Sequence, residues 1–270
     1  MRHRLLDFQV SPMAPYDFDA PDTDAILCSS DGKEFRVHKL ILSLASPVFQ
    51  DMFTLPQPTD SPSRIPIVDV SEPSDILQPF IQYLYPRSSP KISDISMWPV
   101  LYATADKYGA EGVTESMRDM LIPRFLDAHP LRVYALASHW GLEEEAKIAS
   151  RRTLQMDISE EVPEEDARLM GGVACQKLYR LHLQRRDQAR ALVNEHTHAW
   201  KQACFCASTE DDAVTQALAK RLSTRPWVTA EELYEAAKAI SCGCPNAYTN
   251  RHGWFASILE DVSELPQTIE

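Results

Sequence analysis

The chain has 270 residues, of which 44% are hydrophobic and 24% are charged, values typical of a folded protein with one or two domains. It carries 27 Lys and Arg against 39 Asp and Glu, and a formal net charge of −12 disfavours nucleic acid and anionic membranes as partners. Only 8 residues are glycine, which leaves little material for the glycine-rich loops that cradle nucleotide phosphates.

Targeting signals are not evident in the sequence. No run approaches the roughly 18–20 uninterrupted apolar residues of a membrane span. The first residues lack the apolar core of a secretory signal, so we expect an intracellular protein, cytoplasmic or nuclear. In such a reducing compartment cysteines stay free or bind metal more often than they form disulfides. The six cysteines are Cys28, Cys175, Cys204, Cys206, Cys242 and Cys244.

The first predicted elements are a hairpin and two short helices. Residues 1–20 are interrupted by prolines and read as an irregular lead-in. Residues 24–38 hold two short apolar runs around an Asp-Gly pair, which is a turn signal. Residues 39–45 are dense in helix formers, and Ser46 followed by proline predicts the start of a second helix over 48–53.

A strand and three helices are predicted next. Residues 65–70 have strand composition. Because Pro66 has no amide to donate, the strand lies at a sheet edge or Pro66 is its first residue. Ser74 is a candidate cap for a helix, and residues 94–125 predict two more helices. The apolar stripe of the capped helix is Ile76, Leu77, Phe80, Ile81 and Leu84.

The remainder of the chain has a helical pattern. An acidic stretch over 157–166 reads as a linker, and the long helix after it is expected to break at the Gly171-Gly172 pair. The predicted helices cover residues 131–138, 143–156, 165–203, 211–222, 230–240 and 254–262.

The segment 22–53 resembles the opening signature of the BTB/POZ domain. The matching pieces are Asp24-Ala-Ile-Leu, Asp31-Gly, Phe35-Arg-Val-His38-Lys39-Leu-Ile-Leu42, Ala45-Ser46-Pro47-Val48-Phe49 and Met52-Phe53. Residues 65–70 resemble the edge strand of that family. The sequences Phe80-Ile-Gln-Tyr-Leu-Tyr85-Pro86 and Leu101-Tyr-Ala-Thr-Ala-Asp106-Lys107-Tyr108 resemble two of its later helices.

This resemblance implies an α+β fold, in which a cluster of short helices with a small sheet precedes an all-α extension. The implied layout is a lead-in over 1–20, the BTB/POZ domain over 21–127, a helical continuation over 128–160 and a helical C-terminal region over 161–270. Because that last region carries paired cysteines, the layout is similar to BTB proteins of basidiomycete fungi.

The family resemblance also implies a function, which is non-catalytic protein–protein association through self-association and partner docking. The candidate contact residues are Leu40, Ile41 and Leu44 of the first helix and Phe8, Val10 and Phe18 of the lead-in, although the same residues could belong to the core. The signature residues Asp24, His38, Ser46 and Phe49 are expected to be structural. We expect Asp24 to pair near the hairpin and His38 to cap the first helix.

Two rival functions rank lower. Many BTB proteins serve as substrate adaptors of cullin ubiquitin ligases through an apolar-x-Glu element in the loop after the second helix, but that loop here, 54–62, contains no Glu. A transcription-regulator subunit would need zinc fingers or a basic domain, and neither motif is found. Searches for hydrolase, metalloprotease and nucleotide-binding motifs also fail, so we do not expect an enzyme.

Two Cys-x-Cys pairs raise the question of a metal. Cys204, Cys206, Cys242 and Cys244 could supply four thiolates to a structural zinc, or they could fill gaps in the core. The neighbouring histidines could substitute as ligands, but their spacing favours the surface. These histidines are His196, His198 and His252.

A basic cluster lies on the long predicted helix. It is interpreted as a solvated face, because the overall charge is acidic and no aromatic residues are interleaved for nucleic-acid binding. The cluster consists of Arg180, Arg185, Arg186 and Arg190.

Overall fold

The structure is a computed structural model that describes residues 22–55, 65–85, 90–158, 162–203, 209–239 and 247–270. The chain divides between Met120 and Leu121 into two compact units. Within the described ranges, no helix combines the length and the apolar character needed to cross a bilayer.

The first unit combines a small sheet with short helices, which is the predicted fold class. Its elements are β1 (Ala25–Cys28), β2 (Glu34–Val37), α1 (Lys39–Ala45), α2 (Pro47–Thr54), β3 (Ile67–Asp69), α3 (Ser74–Leu84), α4 (Met97–Lys107) and α5 (Glu111–Phe125), the last of which runs past the division. The hairpin and the two consecutive helices of the sequence prediction are confirmed.

The sheet has β1 at its centre. In the described residues the strand order is β2-β1-β3, with Leu27 opposite Phe35 in the antiparallel pair and opposite Val68 in the parallel pair. The third strand therefore lies at an edge, which is one of the two predicted alternatives, and Pro66 lies just before its first residue. The Pro66 carbonyl still contributes, because it accepts a hydrogen bond of 3.0 Å from the Ile26 amide.

The start of α3 corrects the sequence prediction. Pro73, not Ser74, occupies the N-cap position, and its side chain makes no capping hydrogen bond to α3. The Asp31 carboxylate of the hairpin turn instead accepts bonds from the Ser74 amide (2.9 Å) and hydroxyl (2.7 Å), and from the Ser29 hydroxyl (2.6 Å). Hydrogen bonds from Ser29 and Ser74 lower the pKa of Asp31 to about 2.

The second unit is helical. Its elements are α6 (Pro130–His139), α7 (Glu143–Thr153), α8 (Glu164–Ala203), α9 (Thr209–Thr224), α10 (Ala230–Ala239) and α11 (Ala247–Glu264). The helix α6 packs against α7 and α8, whereas the later part of α8 packs against α9 and α11. One apolar core lies in this second group, formed by Ala189, Val193, Leu218, Leu222, Val228, Leu233, Ile258 and Val262.

The predicted break in the long helix is confirmed at Gly171. Its backbone has φ +70° and ψ 169°, a combination that side-chain-bearing residues rarely adopt. A Cβ at this exposed position would meet no atom within 4 Å, so the backbone angle, not crowding, requires glycine. On the N-terminal side of the break, Arg132 of α6 donates to Asp166 at 2.7 Å.

Arg185 contradicts the prediction of a solvated basic face. Its side chain is 2% exposed. Its Nε donates to the Pro226 carbonyl at 2.7 Å, and its terminal nitrogens donate to the carbonyls of Val262 (3.1 Å), Leu265 (3.0 Å) and Pro266 (3.0 Å). Burial lowers the pKa of Arg185 to about 10, which leaves the guanidinium charged at neutral pH.

We predict that Arg185→Met strongly destabilises the protein. The change leaves four carbonyls without their donor, and unsatisfied buried groups cost about 1–3 kcal/mol each before relaxation, so we expect a loss of about 3–5 kcal/mol. Denaturant unfolding followed by circular dichroism measures it. Arg190→Met on the exposed side of the same helix is the control and should change stability by less than about 0.5 kcal/mol. Equal effects would contradict the structural role of Arg185.

His182 is a second buried polar residue of α8. It is 5% exposed, and its Nε2 lies 3.0 Å from the Thr153 hydroxyl oxygen. Because that hydroxyl donates to the Ser150 carbonyl at 2.6 Å, Nε2 must donate to Thr153. Burial lowers the pKa of His182 to about 4, and the nearby Asp157 opposes this effect only in part.

We predict an acid-sensitive second unit. The pKa of His182 in the folded protein lies below its ordinary value of 6.5. The contribution of neutral His182 to the free energy of unfolding is therefore complete above about pH 6.5 and is lost as the pH falls towards 4. The loss amounts to about 2–3 kcal/mol between pH 7 and pH 4. Denaturant unfolding at both pH values should show a smaller difference for His182→Gln, and an unchanged difference would refute the assignment.

Candidate protein-interaction surface

The short helix α1 turns two leucines outward. Leu40 and Leu44, one helical turn apart, are 69% and 80% exposed, whereas Leu42 between them is fully buried. Ile41 is partly buried. The candidate contact residues thus divide, with the two leucines on the surface of their unit and Ile41 half inside it. Phe8, Val10 and Phe18 lie outside the described residues.

Asp24 fixes the start of α1. Its carboxylate accepts a 2.7 Å hydrogen bond from the Lys39 amide. His38 occupies the N-cap position, but its side chain makes no capping bond, which corrects the expected role. The His38 amide donates to the Tyr85 hydroxyl at 3.0 Å, the Nδ1 lies 3.1 Å from the same oxygen, and the Nε2 lies 3.3 Å from Asp22. The short Asp24 side chain, next to β1, thus serves the Lys39 amide in place of the His38 imidazole.

Ser46 joins α1 to α2. It is 1% exposed, and its Oγ accepts from the Phe49 amide at 3.2 Å while donating to the Tyr108 carbonyl. Pro47 follows as the first residue of α2. Gly109, with φ +61°, packs so closely that a Cβ there would lie 3.0 Å from Pro47. The joint is therefore held against the turn between α4 and α5.

An aromatic stack lies beneath this joint. The rings of Phe49 and Tyr108 are stacked with centroids 4.7 Å apart, and Phe80 lies 5.3 Å from Tyr108. The Tyr108 hydroxyl donates to Glu72 at 2.7 Å, and Lys107 pairs with the same carboxylate. Burial alone would raise the pKa of Glu72, but the hydrogen bonds from Lys107 and Tyr108 outweigh it and the pKa is lowered.

Leu44 also forms the rim of a shallow groove. This groove has a volume of about 580 Å³ and runs between α1, the end of α3 and the start of α5. Tyr83 and Val113 line it together with Leu44. The exposed leucines and the groove make a continuous surface, which we call the α1 face.

The other candidate residues are placed as follows. The four paired cysteines lie outside the described residues, so the zinc site stays a prediction. The described side chains contain no group of three or more His, Cys, Asp or Glu suited to a metal. His196 is not a free surface residue, because its side chain is 19% exposed and its Nε2 lies 2.6 Å from Asp261 of α11. His252 falls outside the described side chains.

Sequence reasoning missed one member of the network beneath the Ser46 joint. Lys107 and Tyr108 were included in the family resemblance, whereas Glu72 carried no local signal. Their contact joins residues 35 and 36 positions apart. Only the fold could reveal this pairing.

The comparisons with known proteins bear on the first unit. Residues 19–124 match the family model for the BTB/POZ domain, and this segment is therefore a BTB/POZ domain. The chain is 33% identical over 92 residues to the TD and POZ domain-containing protein 5 of Mus musculus, covering 33% of this chain and 26% of the relative. It is 32% identical over 90 residues to the TD and POZ domain-containing protein 3 of Mus musculus, covering 33% of this chain and 24% of the relative.

The chain thus covers about a quarter of the length of these mouse relatives. A solved structure, the BTB domain of zebrafish PATZ1, is similar at 16% identity and a TM-score of 0.29. That match covers 36% of this chain and 74% of the zebrafish chain. The resemblance to fungal proteins stays a prediction.

We predict that Ser46→Ala weakens the BTB/POZ domain. The change removes an N-cap, worth about 1 kcal/mol, and leaves the buried Tyr108 carbonyl without its donor, so the expected loss is about 2–3 kcal/mol. Hydrogen exchange at the Phe49 amide together with denaturant unfolding measures it. Ser43→Ala within α1 should leave stability within about 0.5 kcal/mol. A loss of the same size in both variants would show that the joint has no special role.

Proposed function

We propose that this chain pairs with a second copy of itself through the α1 face and that the paired domains dock further proteins. The BTB/POZ domain over 19–124 is a protein–protein interaction module, and its family consists of interaction domains, typically without enzymatic activity. The observation that carries the proposal is the outward position of Leu40 and Leu44 on one helical face.

Apolar burial supplies the driving force. Transferring a leucine side chain from water to an apolar contact contributes about 1.5–3 kcal/mol. In a two-fold pair each copy offers the same surface, so every leucine contributes twice. Burial of two exposed leucines on each copy therefore contributes substantially to the free energy of association.

The α1 face alone is smaller than a standard interface. A helix of seven residues is about 10 Å long, whereas stable complexes bury about 800 Å² on each partner. We therefore include the predicted lead-in contacts Phe8, Val10 and Phe18 in the interface. The groove beside Leu44 adds further surface at its rim.

The test is the mass of the protein in solution. Light scattering at micromolar concentration should give about twice the 30.5 kDa of the single chain. Leu44→Glu removes apolar burial twice and brings two carboxylates together, so the dissociation constant should rise at least about a hundredfold. Val100→Glu, at a 45% exposed position of α4, is the matched control and should remain paired.

Two results would contradict the proposal. The first is a wild-type chain that stays monomeric throughout the micromolar range. The second is a folded Leu44→Glu variant that pairs as tightly as the wild type. Circular dichroism establishes that both variants are folded.

The cullin adaptor remains the lower-ranked candidate. The loop after α2 contains no Glu, and residues 56–62 of that loop lie outside the described residues. No described contact favours a cullin over another partner.

A further inference from the structure

The segment after α11 is hydrogen-bonded to two helices of the second unit, α7 and α8. We call this segment, residues 265–270, the strap. Arg185 holds its start through the carbonyls of Leu265 and Pro266. Further along, the Ile269 amide donates to the Ser150 hydroxyl at 3.2 Å, and Lys177 donates to the main-chain oxygen of Glu270. The strap is thus held by side chains that bond its backbone.

The end of the strap borders a groove between α6, α7 and α8, and Ile269 and Glu270 line it. This groove has a volume of about 510 Å³. Its apolar lining consists of Tyr134, Ala137, Ala146, Met170, Val173 and Ala174. Ile269 is only half-buried there, and Val173 remains 71% exposed. The strap therefore forms one wall of the groove, and the apolar space beside it is open.

Ser150 is arranged to receive a backbone amide. It is fully buried, and its hydroxyl donates to the Lys147 carbonyl at 2.7 Å, so the oxygen is available to accept from the strap. Contacts of this kind recognise extended backbone irrespective of sequence. Selectivity then comes from the side chain at position 269 and from charge.

The charges of the groove favour an acidic ligand. Lys147 and Lys177 line it together with Glu143, and Lys147 also pairs with Glu144 at 3.1 Å. Lys177 is the cation that meets the acidic end of the strap, where it donates to Glu270. Ile269 followed by Glu270 in the strap has the complementary pattern, an aliphatic side chain next to an acidic one.

We infer that the α6–α7–α8 groove is a binding site for an extended peptide segment and that the strap is its resident ligand. The partner segment carries an aliphatic residue followed by Asp or Glu, and it binds where the strap is displaced. The strap competes with the partner segment for this site at the millimolar effective concentration typical of a short tether. A partner therefore needs additional binding energy to displace it, and contact with the open apolar surface beside Val173 supplies that energy. The site belongs to the second unit and does not depend on pairing through the α1 face.

A labelled peptide with the strap sequence Leu-Pro-Gln-Thr-Ile-Glu tests the inference by fluorescence anisotropy. Ile269→Asp in the full chain places a charge in the apolar groove and releases the strap. The released variant should bind the peptide at least tenfold more tightly than the wild type, in which the strap occupies the position of the peptide. Thr268→Asp adds the same charge at an exposed position and should behave like the wild type.

Further variants locate the binding and guard against misfolding. Val173→Glu, added to the released variant, should weaken peptide binding at least fivefold because it repels the acidic end. Ile269→Ala, a milder change, should shift binding in the same direction as Ile269→Asp. A released and folded variant that binds no more peptide than the wild type would overturn the inference. So would binding that is insensitive to Val173→Glu.

Discussion

Backbone groups at the ends of helices must find partners, and this constraint governs both units. A helix end leaves up to four amides or carbonyls without intrahelical bonds. The first unit meets the requirement with Ser46, which serves an amide of α2 and a carbonyl at the end of α4. The second unit meets it with Arg185, which serves four carbonyls. In each case one buried polar side chain fixes how neighbouring helices meet.

These two anchors define the surfaces available for binding. In the BTB/POZ domain, the aromatic stack of Phe49, Phe80 and Tyr108 keeps α2 on the core, and the preceding helix is left with Leu40 and Leu44 in solvent. In the second unit, Arg185 directs residues 265 and 266 towards the groove that the strap borders. The two surfaces differ in chemistry, since one is an apolar helix face and the other reads an extended backbone.

Much of this architecture could be predicted from local sequence. The Asp-Gly turn, the Ser-Pro joint and the glycine break in α8 each require a particular backbone, so their residues identify them. The contacts that failed prediction join distant positions. Arg185 has the sequence context of an exposed arginine, and its partners lie 41 to 81 residues away. His196 and Asp261, 65 residues apart, are a similar case. Hydropathy patterns report which face is apolar, but they cannot report which distant carbonyl needs a donor.

The break at Gly171 affects how the results of a substitution scan are interpreted. The residue is exposed and its missing side chain would touch nothing, yet its positive φ tolerates few alternatives. A straight helix of 40 residues would span about 60 Å, whereas the break at Gly171 lets the two parts of α8 take separate directions. In a saturation scan this position would therefore rank among the intolerant surface sites and could be mistaken for a contact with a partner, although the intolerance comes from the chain's own geometry.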